Sequence, residues 1–221
     1  SFCAEVCLAS PPDRGVKLWH MHIPKTAGAS LDTDLKRLLP KNIKYAEAEK
    51  CWSWWSDEMA RDRSLTHMQI TLLREPRAHV LSQYYECSDS EWGRQQIRRW
   101  KKEHPDTTDL AIATMSQFSS WVSHFALAPN MTEANDFGCY HPFNMQTRAF
   151  LCKKWMHSYS FQWSPDFLKT ALQRSKDTFF VGIAEHYQAS ICLLLMKVKR
   201  RMPHFCNCSN PLQWLSFKST H

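Results

Sequence analysis

A short segment near the amino end of the chain combines residue types that can bind phosphate. Lys25, Thr26, Gly28 and Ser30 lie close together, between an apolar run and a helical pattern. The first N–H groups of a helix have no intrahelical acceptor, and the helix dipole makes that end positive. A lysine adds a point charge, a glycine lets the backbone approach closely, and hydroxyls donate hydrogen bonds. The segment therefore predicts a site for a phosphate group.

The order of these residues differs from that of the common nucleotide-binding loop. In that loop a lysine follows the second glycine and is itself followed by Ser or Thr, whereas here Lys25 precedes Gly28. A kinase of that class also needs an acidic residue after a strand to hold Mg²⁺. A P-loop nucleotide kinase is therefore the alternative interpretation and not the leading one.

A second candidate anion site follows a later apolar run. Arg74 comes directly after the run over 68–73, and Ser82 lies farther on, in a predicted helix over 78–86. A guanidinium at the end of a strand and a hydroxyl one or two helical turns later can reach one phosphate from two sides. The residue types at these two positions are therefore compatible with contacts to a phosphate.

The elements that position these residues follow from the hydrophobic pattern. Short strands are predicted over 16–23, 42–46, 68–73 and 179–183, with helices after them. Strands that alternate with helices predict an α/β fold with a central parallel sheet that helices cover on both faces. The aromatic stretch over 51–55 fits neither pattern and is interpreted as packing beneath a loop. A chain of 221 residues favours one domain over 1–221.

Two longer strings resemble motifs of a known family. Residues 22–30, HIPKTAGAS, resemble the 5'-phosphosulfate-binding loop of Golgi carbohydrate sulfotransferases of the heparan sulfate 2-O and galactose 3-O type. Residues 72–84 resemble that family's 3'-phosphate motif. Weaker similarities follow at 144–148, to an Asn-x-Gln-Thr-Arg segment, and at 180–186, to a Val-Gly-x-x-Glu strand end.

The resemblance implies a P-loop-like sulfotransferase fold and a sulfuryl-transfer reaction. A sulfuryl group would pass from 3'-phosphoadenosine-5'-phosphosulfate (PAPS) to a hydroxyl or amine of a glycan, glycolipid or other secreted or small-molecule acceptor. The product would be 3'-phosphoadenosine-5'-phosphate (PAP), and no metal would take part. Arg74 and Ser82 would hold the 3'-phosphate, Arg148 is a further candidate for donor phosphates, and Lys25 would stabilise the leaving phosphate. The loop residues implied in donor binding are Lys25, Thr26, Ala27, Gly28, Ala29 and Ser30.

The transfer needs a base to remove the acceptor's proton. Some members of the family use a glutamate after the second strand, which makes Glu47 the first candidate, with Glu49 nearby. Others use a histidine, and His67 at the start of the next strand is the second candidate. His20 and His22 are interpreted as strand residues that brace the loop.

The charge of the chain bears on its partners. A formal net charge of +7 favours an anionic partner such as a nucleotide, a glycan, a nucleic acid or a membrane surface. No nucleic-acid-binding motif is visible, so nucleic acid is not expected as a partner. A non-catalytic module that binds polyanions through charge alone stays open as a third interpretation.

Cysteines and glycosylation motifs indicate the compartment. Nine cysteines without paired Cys-x-x-Cys motifs favour disulfides over zinc, and their odd number leaves at least one thiol outside an intrachain pair. Asn130 and Asn207 begin N-glycosylation sequons. Together these features predict a protein of the Golgi lumen or secretory pathway. No apolar run is long enough to span a bilayer. The sequence therefore leaves open only a membrane anchor outside residues 1–221.

Overall fold

The chain forms two compact units in a computed structural model that describes residues 15–103, 105, 117–127, 139–152 and 164–219. The first unit contains the chain up to Lys50, residues 54–75 and the chain from Ser175 onward. The second contains residues 51–53 and 76–174. The sequence predicts one domain over 1–221. In the structure the chain divides into two units, and segments of the first unit alternate along the sequence with segments of the second. The Asn130 sequon lies outside the described residues.

The first unit is built on a four-stranded parallel sheet. Its strands are β1 (Val16–Met21), β2 (Ile43–Ala48), β3 (Thr66–Leu73) and β4 (Phe180–Ile183), in the order β2-β1-β3-β4. The predicted α/β class with a parallel sheet is therefore confirmed. The second strand extends beyond its predicted end, which places Glu47 inside it.

Helices connect the strands and make up most of the second unit. They are α1 (Gly28–Leu38), α2 (Trp52–Arg61), α3 (Pro76–Asp89), α4 (Glu91–Glu103), α5 (Phe118–Leu127), α6 (Met145–Leu151), α7 (Pro165–Asp177), α8 (Tyr187–Lys199) and α9 (Pro211–Leu215). Short 3₁₀ turns cover Ala184–His186 and His204–Cys206. None of the helices in the described part of the chain is long and apolar enough to cross a membrane.

Both faces of the sheet are covered. On one face, side chains of β1 and β3 share a buried core with α1 and α8; its members are Leu18, Leu31, Leu35, Ile70, Leu72, Tyr187, Ile191, Leu194 and Leu195. On the other face, Trp19 of β1 packs against Trp55 of α2, with ring centroids 5.0 Å apart. Because β1 is the inner strand between β2 and β3, its residues from Leu18 to Met21 are buried whichever way they point.

The sequence pattern favours packing beneath a loop for the stretch over 51–55, but its residues 52–55 form the start of α2. Trp55 contributes to the core of the first unit. In the second unit Trp52 lies against the guanidinium of Arg174, 4.8 Å from the ring centroid. The same guanidinium donates a hydrogen bond to the carbonyl of Phe150 at 2.5 Å. The aromatic stretch is therefore an element of the fold.

Disulfides are confirmed. Three bonds join described cysteines: Cys51–Cys152 and Cys87–Cys139 in the second unit, and Cys192–Cys206 in the first. Cys208 is free and exposed, as the odd count of cysteines predicts for at least one thiol. Disulfides form and persist in oxidising environments, and the three bonds indicate such an environment, of the secretory type.

We expect removal of the Cys51–Cys152 bond to lower the free energy of unfolding by about 2–5 kcal/mol. The bond closes a loop with a sequence separation of 101 residues, so its loss enlarges the unfolded ensemble. Urea unfolding of the Cys51→Ala, Cys152→Ala double variant, followed by tryptophan fluorescence, measures the change. The matched control is Cys208→Ser, which should stay within about 0.5 kcal/mol of the wild type. An equal loss in the control would contradict this pairing.

Candidate functional site

The loop between β1 and α1 has an unusual backbone for its sequence. Lys25 and Ala27 both have φ at 66°, in the left-handed region that residues with a side chain rarely adopt. Between them Thr26 is fully buried, and its hydroxyl donates a hydrogen bond to the carbonyl of Ile23 at 2.8 Å. Turns with such left-handed residues direct successive N–H groups toward one concave side, where anions bind. The strain of two such residues is typical of functional sites.

The amino end of α1 carries no capping side chain. Ala27 at the N-cap makes no side-chain hydrogen bond, and the first turn contains no acidic residue. The first helical bond runs from the N–H of Leu31 to the carbonyl of Ala27, at 3.0 Å. The N–H groups of Gly28, Ala29 and Ser30 therefore have no acceptor within the helix. An anion placed here would meet both these donors and the positive end of the helix dipole.

Gly28 is required because an imidazole ring occupies the space of a side chain. A Cβ built on Gly28 would lie 2.0 Å from Cδ2 of His22, far inside van der Waals contact. The ring of His22 is held by the carboxylate of Glu47, which accepts a hydrogen bond from Nδ1 at 2.5 Å. Glu47 reaches it because β2 pairs with β1 in a register that sets Glu47 beside His20. The predicted base candidate Glu47 thus contacts His22, and the ring of His22 in turn lies against Gly28.

Arg74 contacts the same loop from the end of β3. Its Nη1 donates a hydrogen bond to the carbonyl of Lys25 at 3.1 Å. Its Nε lies 3.7 Å from Glu185, whose carboxylate also accepts a hydrogen bond from the N–H of Glu75 at 3.1 Å. The Arg74 side chain stays 27% exposed, so part of the guanidinium can still meet a ligand. The structure therefore brings Lys25 and Arg74 together at one edge of the sheet.

This edge has the position that ligands prefer in open α/β sheets. From β1 the chain passes to β2 on one side and then to β3 on the other. Ligands in such sheets bind outside the carboxyl ends of the strands where the strand order changes direction in this way. The loop after β1 and Arg74 after β3 lie at that point.

The second candidate base, His67, lies elsewhere. It is in register with Lys17, four residues before the end of β1 at Met21, which corresponds to about 13 Å along the strand. Its Nδ1 accepts a hydrogen bond from the indole of Trp19 at 2.8 Å, and its Nε2 contacts the carbonyl of Asp62. With both ring nitrogens engaged at the amino end of the sheet, His67 is not brought to the loop.

Ser82 and Arg148 belong to the second unit. Ser82 is half-buried on α3, and Arg148 lies on α6 with only 3% of its surface exposed. The Nη2 of Arg148 donates a hydrogen bond to the carbonyl of His141 at 2.7 Å, which ties the start of α6 to the preceding segment. Their predicted roles in donor binding stay predictions.

A buried histidine lies under the site. The ring of His20 stacks on that of His22, with centroids 5.5 Å apart, and its Nδ1 is hydrogen-bonded to the hydroxyl of Tyr45 at 2.9 Å. Burial, and secondarily the neighbouring His22, lowers the pKa of His20 well below 6.5. Burial, together with the carboxylates of Asp32 and Glu47, raises the pKa of Tyr45, so its hydroxyl stays protonated. Both groups under the site are therefore neutral.

For two residues at this edge of the sheet, the sequence pattern predicts no role in the reaction. The sequence pattern predicts only a bracing role for His22 and only a position at a strand end for Glu185. The alternation of side chains along a strand is a signal for His22, because it predicts that His20 and His22 point to the same side. No local signal links Glu185 to Arg74, because their contact joins residues far apart in the chain.

No group of three His, Cys, Asp or Glu side chains within the described ranges is arranged to hold a metal ion. Comparison of the chain with protein-family models, with curated proteins and with solved structures found no match.

Replacing Gly28 by alanine should displace the ring of His22 and lower the free energy of unfolding by about 1–3 kcal/mol. The added methyl group has no room beside the ring, which Glu47 holds from the other side. Chemical denaturation measures the change. Gly15→Ala is the matched control, because its Cβ would meet only the flexible end of Leu65 at 3.1 Å. Equal stability of the Gly28 variant and the control would show that the ring does not occupy this position.

Stability should decrease in mild acid because of His20. Its pKa is lowered in the folded protein, so below about pH 6.5 the unfolded chain binds a proton that the folded protein does not. The contribution is complete above 6.5 and is lost as the pH falls from there toward the folded pKa. The slope for one proton approaches about 1.4 kcal/mol per pH unit. Urea unfolding across this range should show a shallower slope for His20→Asn, and identical slopes would contradict the assignment.

Proposed function

We propose that the chain is a sulfotransferase that moves a sulfuryl group from PAPS to an acceptor hydroxyl or amine and releases PAP. The proposal combines the resemblance of residues 22–30 and 72–84 to the donor-binding motifs of Golgi carbohydrate sulfotransferases with the geometry of the sheet edge. It includes a P-loop-like sulfotransferase fold, of which the α/β class and the parallel sheet are established.

One observation carries the proposal. The guanidinium of Arg74 donates to the main-chain carbonyl of Lys25, so the two motifs meet at the carboxyl ends of adjacent strands. PAPS carries anionic groups at two places, the 5'-phosphosulfate and the 3'-phosphate. A ligand with two anionic groups on one small frame suits two neighbouring motifs that each contain a cationic residue.

The residues of the loop suit the chemistry of the transfer. The acceptor oxygen attacks sulfur, the bond from sulfur to the phosphate oxygen breaks, and negative charge develops on that phosphate. In the proposal Lys25 stabilises this charge, as a preorganised cation does in a site that excludes water. The N–H groups of Gly28, Ala29 and Ser30 at the start of α1 hold the 5'-phosphate and orient it for the attack.

The acceptor class follows from the compartment and the charge. Three disulfides fit the lumen of the secretory pathway, and within it we propose the Golgi. The net charge of +7 suits both an anionic donor and an anionic acceptor. Glycans and glycolipids of the secretory pathway carry hydroxyl groups that can accept the sulfuryl group, and we propose them as the acceptor class.

Thermal melting with PAP, ATP and AMP tests the proposal. A ligand that binds only the folded protein raises its melting temperature, by about 5–10 °C at a hundredfold excess over Kd for a chain of this size. We expect PAP to give this shift and ATP and AMP to give much smaller ones. Equal stabilisation by ATP would favour the nucleotide kinase instead, and no response to any nucleotide would favour a module that binds polyanions.

Variants locate the binding site within that experiment. Lys25→Ala and Arg74→Ala each remove a charged contact to an anion, which we expect to weaken PAP binding about 10- to 100-fold. Lys41→Ala is the matched control, because it removes the same charge from an exposed residue before β2. PAP binding at wild-type strength in both site variants would refute the assignment.

A further inference from the structure

The ring of His22 is held in one orientation by its surroundings. The carboxylate of Glu47 accepts a hydrogen bond from its Nδ1 at 2.5 Å, and the ring of His20 stacks on it with an interplanar angle of 22°. Its edge rests on Gly28, where no other residue type leaves room. A histidine fixed by a carboxylate in this way is the arrangement that prepares an imidazole to accept a proton.

The contact with Glu47 determines which nitrogen is available. An ionised carboxylate only accepts hydrogen bonds, so Nδ1 carries the hydrogen and Nε2 keeps its lone pair. Among the described residues none forms a hydrogen bond with Nε2, and the side chain remains 15% exposed. A Cβ built on Gly28 would lie 2.4 Å from Nε2, so this nitrogen lies directly beside the first residue of α1.

Glu47 is less well placed to take the proton itself. Its Oε1 already accepts the hydrogen bond from His22, and the ring lies between this contact and Gly28. A proton that arrives from the start of α1 therefore meets the imidazole before the carboxylate. The carboxylate in turn favours the positive charge that a proton brings to the ring.

We propose that His22 is the group that accepts the acceptor's proton during transfer and that Glu47 is its positioning residue. This inference rests on the proposed sulfotransferase function. As the acceptor oxygen forms its bond to sulfur, its proton passes to Nε2 of His22. The bond between sulfur and the 5'-phosphate oxygen breaks, and the electron pair leaves with PAP. The proton on His22 then returns to solvent.

The neighbouring charges are compatible with this role. The ring of His22 faces His20 on β1, whose Nδ1 is hydrogen-bonded to the hydroxyl of Tyr45, and it faces Glu47 on β2. On α1 it meets Gly28, and Asp32 and Lys36 lie farther along the helix. Burial, and secondarily the neighbouring His22, lowers the pKa of His20, so His20 places no positive charge beside the ring.

The experiment follows transfer from labelled PAPS to desulfated heparin and to a galactose-terminated oligosaccharide, with PAP-induced melting shifts measured in parallel. His22→Asn keeps an amide that can donate to Glu47 and cannot accept the proton. We expect kcat to fall about 10²- to 10⁴-fold in this variant, with the PAP shift retained. The dependence of kcat on pH should also differ between the wild type and this variant.

Variants of Glu47 separate positioning from proton transfer. Glu47→Gln can donate to Nδ1 and so reverse the tautomer, which should lower kcat strongly, whereas Glu47→Asp keeps the carboxylate and should restore part of the rate. Imidazole added to His22→Ala should also restore part of the rate, which supplies a readout if folding of the Asn variant is impaired.

The outcomes separate the two proposals. Near-wild-type transfer by His22→Asn would overturn the role of His22 while leaving the sulfotransferase function intact. Loss of transfer in Glu47→Gln but not in His22→Asn would make Glu47 the base. A wild-type protein that neither responds to PAP nor transfers sulfate would overturn the proposed function, and the role of His22 with it.

Discussion

Because β1 pairs in parallel with a strand on each side, the carboxyl ends of β1, β2 and β3 meet at one edge of the sheet. The polar contacts of the candidate site in the first unit depend on this pairing. The register with β2 sets Glu47 beside His20, within reach of His22. The register with β3 ends that strand where Arg74 reaches the carbonyl of Lys25. A shift by one residue would turn these side chains to the other face of the sheet.

Close packing at the start of α1 adds a second constraint. The ring of His22 lies where a side chain of residue 28 would be, so glycine is needed for contact and not only for backbone freedom. The loop before it contains two residues with left-handed backbone, and neither is a glycine. The buried hydroxyl of Thr26 and the guanidinium of Arg74 bond to carbonyls of this loop and so hold its strained conformation.

The two units are stabilised in different ways. In the first unit the apolar side chains of β1, β3, α1 and α8 form one continuous core, and the disulfide Cys192–Cys206 ties the end of the chain to α8. The second unit has two disulfides and a set of aromatic contacts, among them Trp121 with Phe125 at 5.1 Å between ring centroids. Covalent links close long loops in a unit that contains no strand among its described residues.

The local structure of the chain can be predicted from its amino-acid pattern alone. The four strands, the helices after them and the loop over 22–27 follow from the period of apolar residues and from proline and glycine, which act over a few positions. The same local signals identified Lys25 and Arg74 as residues at strand ends and predicted disulfides from composition. The prediction that the aromatic stretch over 51–55 packs beneath a loop is wrong, because one turn of a helix with tryptophans at three of its positions shows no clear period.

Long-range packing determines which of these residues meet. It paired Glu47 with His22, put Glu185 beside Arg74, set His67 at the opposite end of the sheet from the loop and chose the partners of six cysteines. Each of these outcomes depends on strand order and register or on contacts between distant segments. Those contacts arise when separate apolar faces are buried together, and no local pattern in the sequence encodes which faces will meet.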